Sequence, residues 1–416
     1  MSDNKENVPK IRFPGFTDAW EQRKLGENLV SIQTGTNLLG SETSLGIPLL
    51  KMGNIQRGYF SLNKLEYIKE EQEVESYNIA QYGDFLFNTR NTLELVGKGA
   101  TWTGESGKYA FNSNIARLGF DGIDTIFFNY LYNTQQMITQ VQARAVGTTS
   151  VAAVYPRDLN SINYHLPSLD EQKKIGRFFL QLDNLITLHQ RKLNNVKKMK
   201  AGLLQKMFPK NGEEYPEVRF PGFTDAWEQR RLGKMGTTFT GLSGKTKEDF
   251  GHGDAKFVTY VNVFSNVISD PKGVESTGVD NKQNEVKYGD VFFTTSSETP
   301  EEVGMSSVWL ENTDNVYLNS FCFGYRPTVE FDPFFLAFML RSPRVREKIV
   351  FLAQGISRYN ISKNKVMETE VPVPTLNEQR KLGAFFKHLD NLITLHQRKL
   401  EHMQELKKGL LQQMFV

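Results

Sequence analysis

Leu182-Asp-Asn-Leu-Ile-Thr-Leu-His-Gln-Arg-Lys-Leu193 returns without a change as Leu389 to Leu400. A second stretch, Arg12-Phe-Pro-Gly-Phe-Thr-Asp-Ala-Trp-Glu-Gln-Arg23, returns as Arg219 to Arg230 at the same step of 207 residues (389 − 182 and 219 − 12). The residues between these blocks differ almost everywhere. The 416-residue chain is therefore a duplicated frame around two dissimilar inserts, which points to one task performed on two different targets.

The frame reads as helix. Pro167-Ser-Leu-Asp-Glu171 and Pro374-Thr-Leu-Asn-Glu378 each carry Ser or Thr three residues before Glu, a capping box that predicts helix starts near 169 and 376. Apolar residues then recur at steps of three and four: Ile175, Phe178, Leu182, Leu185, His189, Leu193, Val196, Met199, Leu203, Met207. The second copy runs Leu382, Phe385, Leu389, Leu392, His396, Leu400, Met403, Leu406, Leu410, Met414. Such heptad-like stripes predict two long helices buried against each other as an antiparallel pair. His189 and His396 fall in that seam, stacked or hydrogen-bonded, without the further ligands that a metal would need.

The expected organisation is α+β with a pseudo-twofold internal repeat, two mixed α/β domains separated by two long antiparallel coiled-coil helices. Its expected boundaries are a first domain over 1–166, a helix over 167–208, a linker over 209–218, a second domain over 219–373 and a helix over 374–416. Strand-like runs include 47–50, 84–87, 256–261 and 290–293. Tyr82-Gly-Asp84 matches Tyr288-Gly-Asp290, Val96-Gly97 matches Val303-Gly304, and Asn112-Ser113 matches Asn319-Ser320. The inserts are thus expected to share a fold. The aromatics around Phe13-Pro-Gly-Phe16, with Trp20, and around Phe220-Pro-Gly-Phe223, with Trp227, read as a docking surface.

A hydrophobic share of 39%, a charged share of 23% and one cysteine, Cys322, describe a globular protein without an internal disulfide. With a polar amino terminus and no long apolar run, the expected location is cytoplasmic. Net charge of +3 says little by itself. The basic residues from Arg191 to Lys210 suit either a solvated helix face or phosphates.

Chemistry is sparse. Thr240-Gly-Leu-Ser-Gly-Lys-Thr246 has Phe239 where a phosphate-binding loop needs its first glycine, and Asp332-Pro-Phe-Phe335 reads as a helix cap rather than a methyltransferase motif. No metal-ligand spacing, nucleophile elbow or nuclease cluster occurs. Polar loops follow each Tyr-Gly-Asp strand and recur near the end of each insert, and their hydroxyl and amide side chains suit base edges and phosphates.

The repeated Arg-Phe-Pro-Gly-Phe, Trp20-Glu-Gln-Arg-Lys-Leu-Gly26, Tyr-Gly-Asp, Pro-Ser/Thr-Leu-x-Glu-Gln and Leu-Asp-Asn-Leu-Ile resemble the specificity subunits of type I restriction-modification systems over essentially the whole chain. The resemblance implies a non-catalytic subunit that reads a bipartite, asymmetric double-stranded DNA target, one half-site per insert, with the helices as a ruler. It implies partners: two modification (methyltransferase) subunits holding S-adenosylmethionine, and restriction subunits using ATP and Mg. This chain itself is expected to hold no cofactor or metal and no catalytic residue. By position, the DNA-contacting residues it implies are Asn88, Thr89, Arg90, Asn91, Thr92, Thr148, Thr149, Ser150, Thr294, Thr295, Ser296, Ser297, Ser357, Arg358, Tyr359 and Asn360. The alternatives are a tandem adaptor for partners other than DNA, or a fused DNA methyltransferase or nuclease.

Overall fold

The computed structural model describes residues 7–43 and 45–416. The chain folds as two compact units whose boundaries fall inside the long helices: one carries the chain up to Gln190 together with Lys399–Val416, the other is Arg191–Arg398. The helices are α1 (Thr125–Tyr132), α2 (Gln135–Gln142), α3 (Leu169–Lys206), α4 (Tyr260–Ser265), α5 (Pro333–Leu340), α6 (Pro343–Val350), α7 (Lys363–Glu368) and α8 (Leu376–Met414).

Both units are built on one plan. In the first, an antiparallel sheet runs in the order Leu29–Thr34, Ile115–Phe120, Phe85–Asn88, Gly99–Thr101. In the second the order is Gly236–Thr240, Cys322–Pro327, Val291–Thr294, Ser306–Val308. Each unit adds a three-stranded sheet with one parallel pair, Gly46–Leu50 beside Ala110–Phe111 and Phe250–Val258 beside Val316–Leu318. A two-stranded ribbon closes each, Glu21–Lys24 with Asn163–Leu166 and Glu228–Arg231 with Glu370–Val373. Two sequences with little identity reach one topology because the shared features sit where the backbone is unusual. Gly83 and Gly289 adopt φ of 92° and 85°, a left-handed turn that glycine enters without steric cost. The following Asp84 and Asp290 bind Arg117 (2.9 Å) and Arg326 (2.6 Å) on the neighbouring strand.

The strand expected over 256–261 ends at Val258. Thr259 caps α4 by accepting the Asn262 N–H at 3.2 Å, so Tyr260 and Val261 become helical. A local cap outweighs the β-propensity of the aromatic and branched residues that follow it.

Both long helices begin as the sequence predicts, but the capping box is used differently. Ser168 Oγ accepts the Glu171 N–H at 3.4 Å, while the Glu171 carboxylate turns away from the helix start. It accepts from one edge of the Arg12 guanidinium, Nε at 2.6 Å and Nη2 at 2.7 Å. Glu378 does the same with Arg219, at 2.7 and 2.8 Å. Next in sequence, Gln172 accepts from the Asp124 N–H and donates to the Pro167 carbonyl, and Gln379 repeats this with Asp332 and Pro374. The Glu-Gln pair therefore ties the amino-terminal segment and the start of α1 or α5 to the long helix. Asp124 and Asp332 cap α1 and α5 through the N–H groups of Phe127 and Phe335.

Within each unit the α3 and α8 segments run antiparallel. In the first, Asp183 pairs with Lys407 at 2.5 Å and Phe179 faces Phe415. In the second, Lys200 pairs with Asp390 and Phe208 faces Phe386. The expected seam is only partly buried: Leu185, Met199 and Leu406 stand about half exposed, while Phe179, Phe208 and Phe386 carry the packing. The reason is that each helix must also cover its own globular core, which rotates the buried stripe toward these phenylalanines. Trp20 and Trp227 likewise lie in the cores, so they are not part of an exposed aromatic surface. Among the described residues no helix is long and apolar enough to cross a membrane.

Candidate nucleic-acid interface

The two polar loops of each insert, some sixty residues apart in sequence, meet in space. In the first unit Arg90–Asn91 pairs with Ala152–Ala153, which pairs in turn with Val146–Gly147. Gly147 at φ 136° turns the hairpin, and a Cβ there would lie 2.3 Å from the Val151 carbonyl oxygen. The tip is Thr148-Thr149-Ser150, all exposed, and the Leu93 N–H donates to the Thr149 carbonyl at 3.1 Å. An open groove of about 670 Å³ lies between these loops, lined by Thr92, Leu93, Glu94, Gln142 and Thr149.

The second unit repeats the arrangement with other side chains. Ser296–Ser297 pairs with Tyr359–Asn360, and Asn360 bridges back to Gln354. Gly355 at φ 146° turns the hairpin, with a Cβ there 2.0 Å from the Arg358 carbonyl oxygen. Its tip is Ile356-Ser357-Arg358, and Ile356 is 97% exposed. The first hairpin carries four residues between Gly147 and Ala152, Thr148 to Val151, and the second three between Gly355 and Tyr359, Ile356 to Arg358.

The residues singled out from sequence divide by accessibility. Arg90, Thr148, Thr149, Ser150, Ser357, Arg358 and Asn360 are exposed, and Asn91, Thr92 and Tyr359 half-buried. Asn88, Thr294, Ser296 and Ser297 are buried. Thr89 donates to the Asn114 carbonyl through both its N–H (3.0 Å) and its hydroxyl (2.8 Å), and its own carbonyl accepts the Val154 N–H. Thr295 does the same with Phe321 and Ile361. Thr294 Oγ1 accepts the Met305 N–H, Ser297 donates to Glu302, and Arg358 donates to Ser296 Oγ at 3.2 Å. These inner residues hold the hairpins from behind.

Tyr260 and Ile356 were not among the residues chosen from sequence. The Tyr260 hydroxyl donates to the Ser296 carbonyl at 2.7 Å, and burial pushes its pKa up, so it remains a donor that fixes this loop. Its approach depends on α4, whose local signal was the Thr259 cap ahead of strand-like residues. Ile356 did carry one: an apolar residue just after a glycine in a polar loop.

The arrangement offers donors, acceptors, one apolar tip and a few cations on exposed hairpins. It offers no nucleophile–base pair, and Lys245 of the glycine-rich stretch is bound to Asp280 at 2.8 Å. Among the described residues no group of three or more His, Cys, Asp or Glu could hold a metal ion.

Comparison with known proteins gives the family. The family model of the type I restriction modification DNA specificity domain matches residues 17–198 and again 224–405. The MjaX specificity subunit of Methanocaldococcus jannaschii, named for a type I restriction enzyme, is 23% identical over 98% of this chain and 95% of its own length. The MjaVIII type I specificity subunit of the same organism is 21% identical over 98% and 94%. The crystal structure of the type I restriction-modification S subunit from M. genitalium shares the fold, with a TM-score of 0.57 at 13% identity over 98% of this chain and 99% of that one. The chain belongs to the type I restriction-modification DNA specificity family, as a non-catalytic specificity subunit carrying the specificity domain twice.

Proposed function

We propose that each unit reads one half of a bipartite, asymmetric DNA target through its paired loops. Arg90, Asn91, Thr92, Thr148, Thr149 and Ser150 form the first reading surface, and Ser357, Arg358, Tyr359 and Asn360, with Ile356, the second. Asn88, Thr89, Thr294, Thr295, Ser296 and Ser297 position these hairpins. The observation that carries the reading is that the two units hold different side chains on hairpins paired in the same way, while two stretches of their frames, 12–23 and 182–193, recur unchanged. Base edges are distinguished by donors, acceptors and the thymine methyl, and the hairpin tips differ in those respects.

The identical frame suits identical partners. Pro14, Gly15, Thr17, Asp18, Glu21 and Gln22 are exposed, as are their copies Pro221, Gly222, Thr224, Asp225, Glu228 and Gln229. Exposed residues identical in two copies whose inserts have diverged favour two copies of one partner. The expected partners are two modification subunits holding S-adenosylmethionine, with restriction subunits using ATP and Mg, all of it chemistry outside this chain. The half-exposed Leu188 and Leu395, one on each long helix, and their neighbours Leu185, Met199 and Leu406 add apolar area for such docking.

The test is methylome sequencing of a host expressing the chain with its modification subunit. Giving the first tip side chains of the second (Thr148→Ile, Thr149→Ser, Ser150→Arg) is expected to change the first half-site and leave the second half-site and the gap as they were. An unchanged first half-site would overturn the assignment of this tip.

A further inference from the structure

The first unit presents two cations that nothing in the duplicated frame explains. Residues 53–60 form a tight turn: the Gln56 N–H donates to the Tyr59 carbonyl and the Gln56 side chain donates to the Gly53 carbonyl. Asn54 anchors it by donating to the carbonyls of Ser61 and Lys64 at 2.9 and 2.8 Å. The Gly58 N–H donates to the Gly99 carbonyl and the Gly58 carbonyl accepts from Asn129 of α1. This rigid turn carries Arg57, whose guanidinium reaches the Glu94 carbonyl at 3.4 Å. Lys98, at the foot of the same loop, donates to Gln56 Oε1 at 2.9 Å.

Arg57 and Lys98 therefore stand close together beside the Thr92–Glu94 loop, and both hold only neutral acceptors. Among the described residues neither is in an ion pair. Burial, and then the charge of Arg57, push the Lys98 ammonium pKa down, and the Glu94 carboxylate acts in the opposite sense with less effect. Two neighbouring cations without a carboxylate partner leave positive charge uncompensated, which an anion would relieve. Two hydrogen bonds link them to the reading hairpin: the Arg57 guanidinium donates to the Glu94 carbonyl, and the Leu93 N–H to the Thr149 carbonyl.

The second unit lacks the pair. Asn262 plays the anchoring part of Asn54, donating to the carbonyls of Asp270 and Gly273, but the residue three further on is Ser265. After the Val-Gly shared by both inserts, Met305 stands where the first has Lys98. The nearby cations Arg341 and Arg346 are instead committed to backbone carbonyls, Arg341 to those of Val263, Phe264, Asn266 and Ser306 and Arg346 to those of Glu301, Val303 and Gly304, and burial lowers the pKa of each to about 10.

We propose that Arg57 and Lys98 form a DNA-phosphate clamp particular to the first recognition domain, gripping the backbone next to the half-site read by the Thr148–Ser150 hairpin. This rests on the reading that these loops face DNA. Phosphate contacts set register and affinity without carrying sequence, so the clamp and the hairpin must separate in experiment.

The experiment uses the full chain assembled with its modification subunits, and two duplexes: one bearing the methylated target and one unrelated. The variant Arg57→Gln with Lys98→Gln leaves a shorter polar side chain able to hydrogen-bond at each position but removes both charges. Assembly and circular dichroism check that it folds. It is expected to weaken binding of both duplexes by a similar factor, about tenfold or more at low salt. It should also make the slope of log affinity against log salt shallower by about one to two, since each neutralised phosphate contributes about 0.9. The methylated motif stays the same, and Arg57→Lys, which keeps the charge, retains the wild-type slope. Unchanged affinity and slope, or a changed motif with an unchanged slope, overturns the clamp. If the hairpin exchange still alters the first half-site in that case, the reading of the hairpin stands and only the clamp falls; if both are silent, this face does not meet DNA.

Discussion

Arg12 and Arg219 each hold a carboxylate that is almost wholly buried at the first turn of a long helix. Two parallel N–H···O bonds give this pair a geometry that lysine cannot reproduce. Removing the guanidinium leaves Glu378 desolvated and alone, which costs about 3–5 kcal/mol. Arg219→Ala is therefore expected to lower the urea midpoint strongly and Arg219→Lys to restore it incompletely, whereas Arg231→Ala, from an exposed pair with Glu370, should cost at most about 1 kcal/mol. The lone thiol makes a second test at this scale. Burial pushes Cys322 from 9.0 up to about 12, so at pH 8 its thiolate fraction falls by about a thousandfold. Labelling by a thiol reagent should be negligible in the folded chain and rapid after denaturation; rapid native labelling would contradict this burial.

The long helices show how a repeat is used. Phe208 ends the first frame, yet it packs on Trp227, Phe335 and Phe386 of the second unit. Phe415 ends the second frame and packs on Trp20, Phe127 and Phe179 of the first. Each unit is thus completed by the tail of the other repeat. Phe208→Ala removes a fully buried ring and is expected to cost roughly 3–5 kcal/mol, felt in the second unit. Hydrogen exchange on the full chain should show lost protection in α5 and in 376–390, with 125–132 unaffected. Loss confined to residues before 190 would refute the exchange of tails.

For the whole molecule, division of labour between frame and inserts is the functional consequence. α3 is continuous over 38 residues, about 57 Å at 1.5 Å per residue, so its length is expected to fix the unread gap between half-sites. Inserting four residues near Val196 should change the gap while both half-sites persist, as read by methylome sequencing. Identical spacing in wild type and variant would defeat the ruler.

Much of this was legible in residue order. The duplication, both helix starts, the Asp332 cap and the common plan of the inserts all follow from local patterns, because caps, glycine turns and apolar periodicity act within a few residues. Three matters were decided only by the tertiary structure. Glu171 and Glu378 abandon a local cap for distant arginines, since a buried bidentate partner outcompetes one backbone donor. Thr294, Ser296 and Ser297 look like loop polarity in one dimension, but Thr294 is buried by pairing with Cys322 and the two serines by pairing with a hairpin some sixty residues away. Arg57 and Lys98 are two unremarkable cations until a turn anchored on Asn54 brings them beside Glu94. Local sequence determines elements and their ends, whereas which polar groups face outward depends on contacts between segments far apart in the chain.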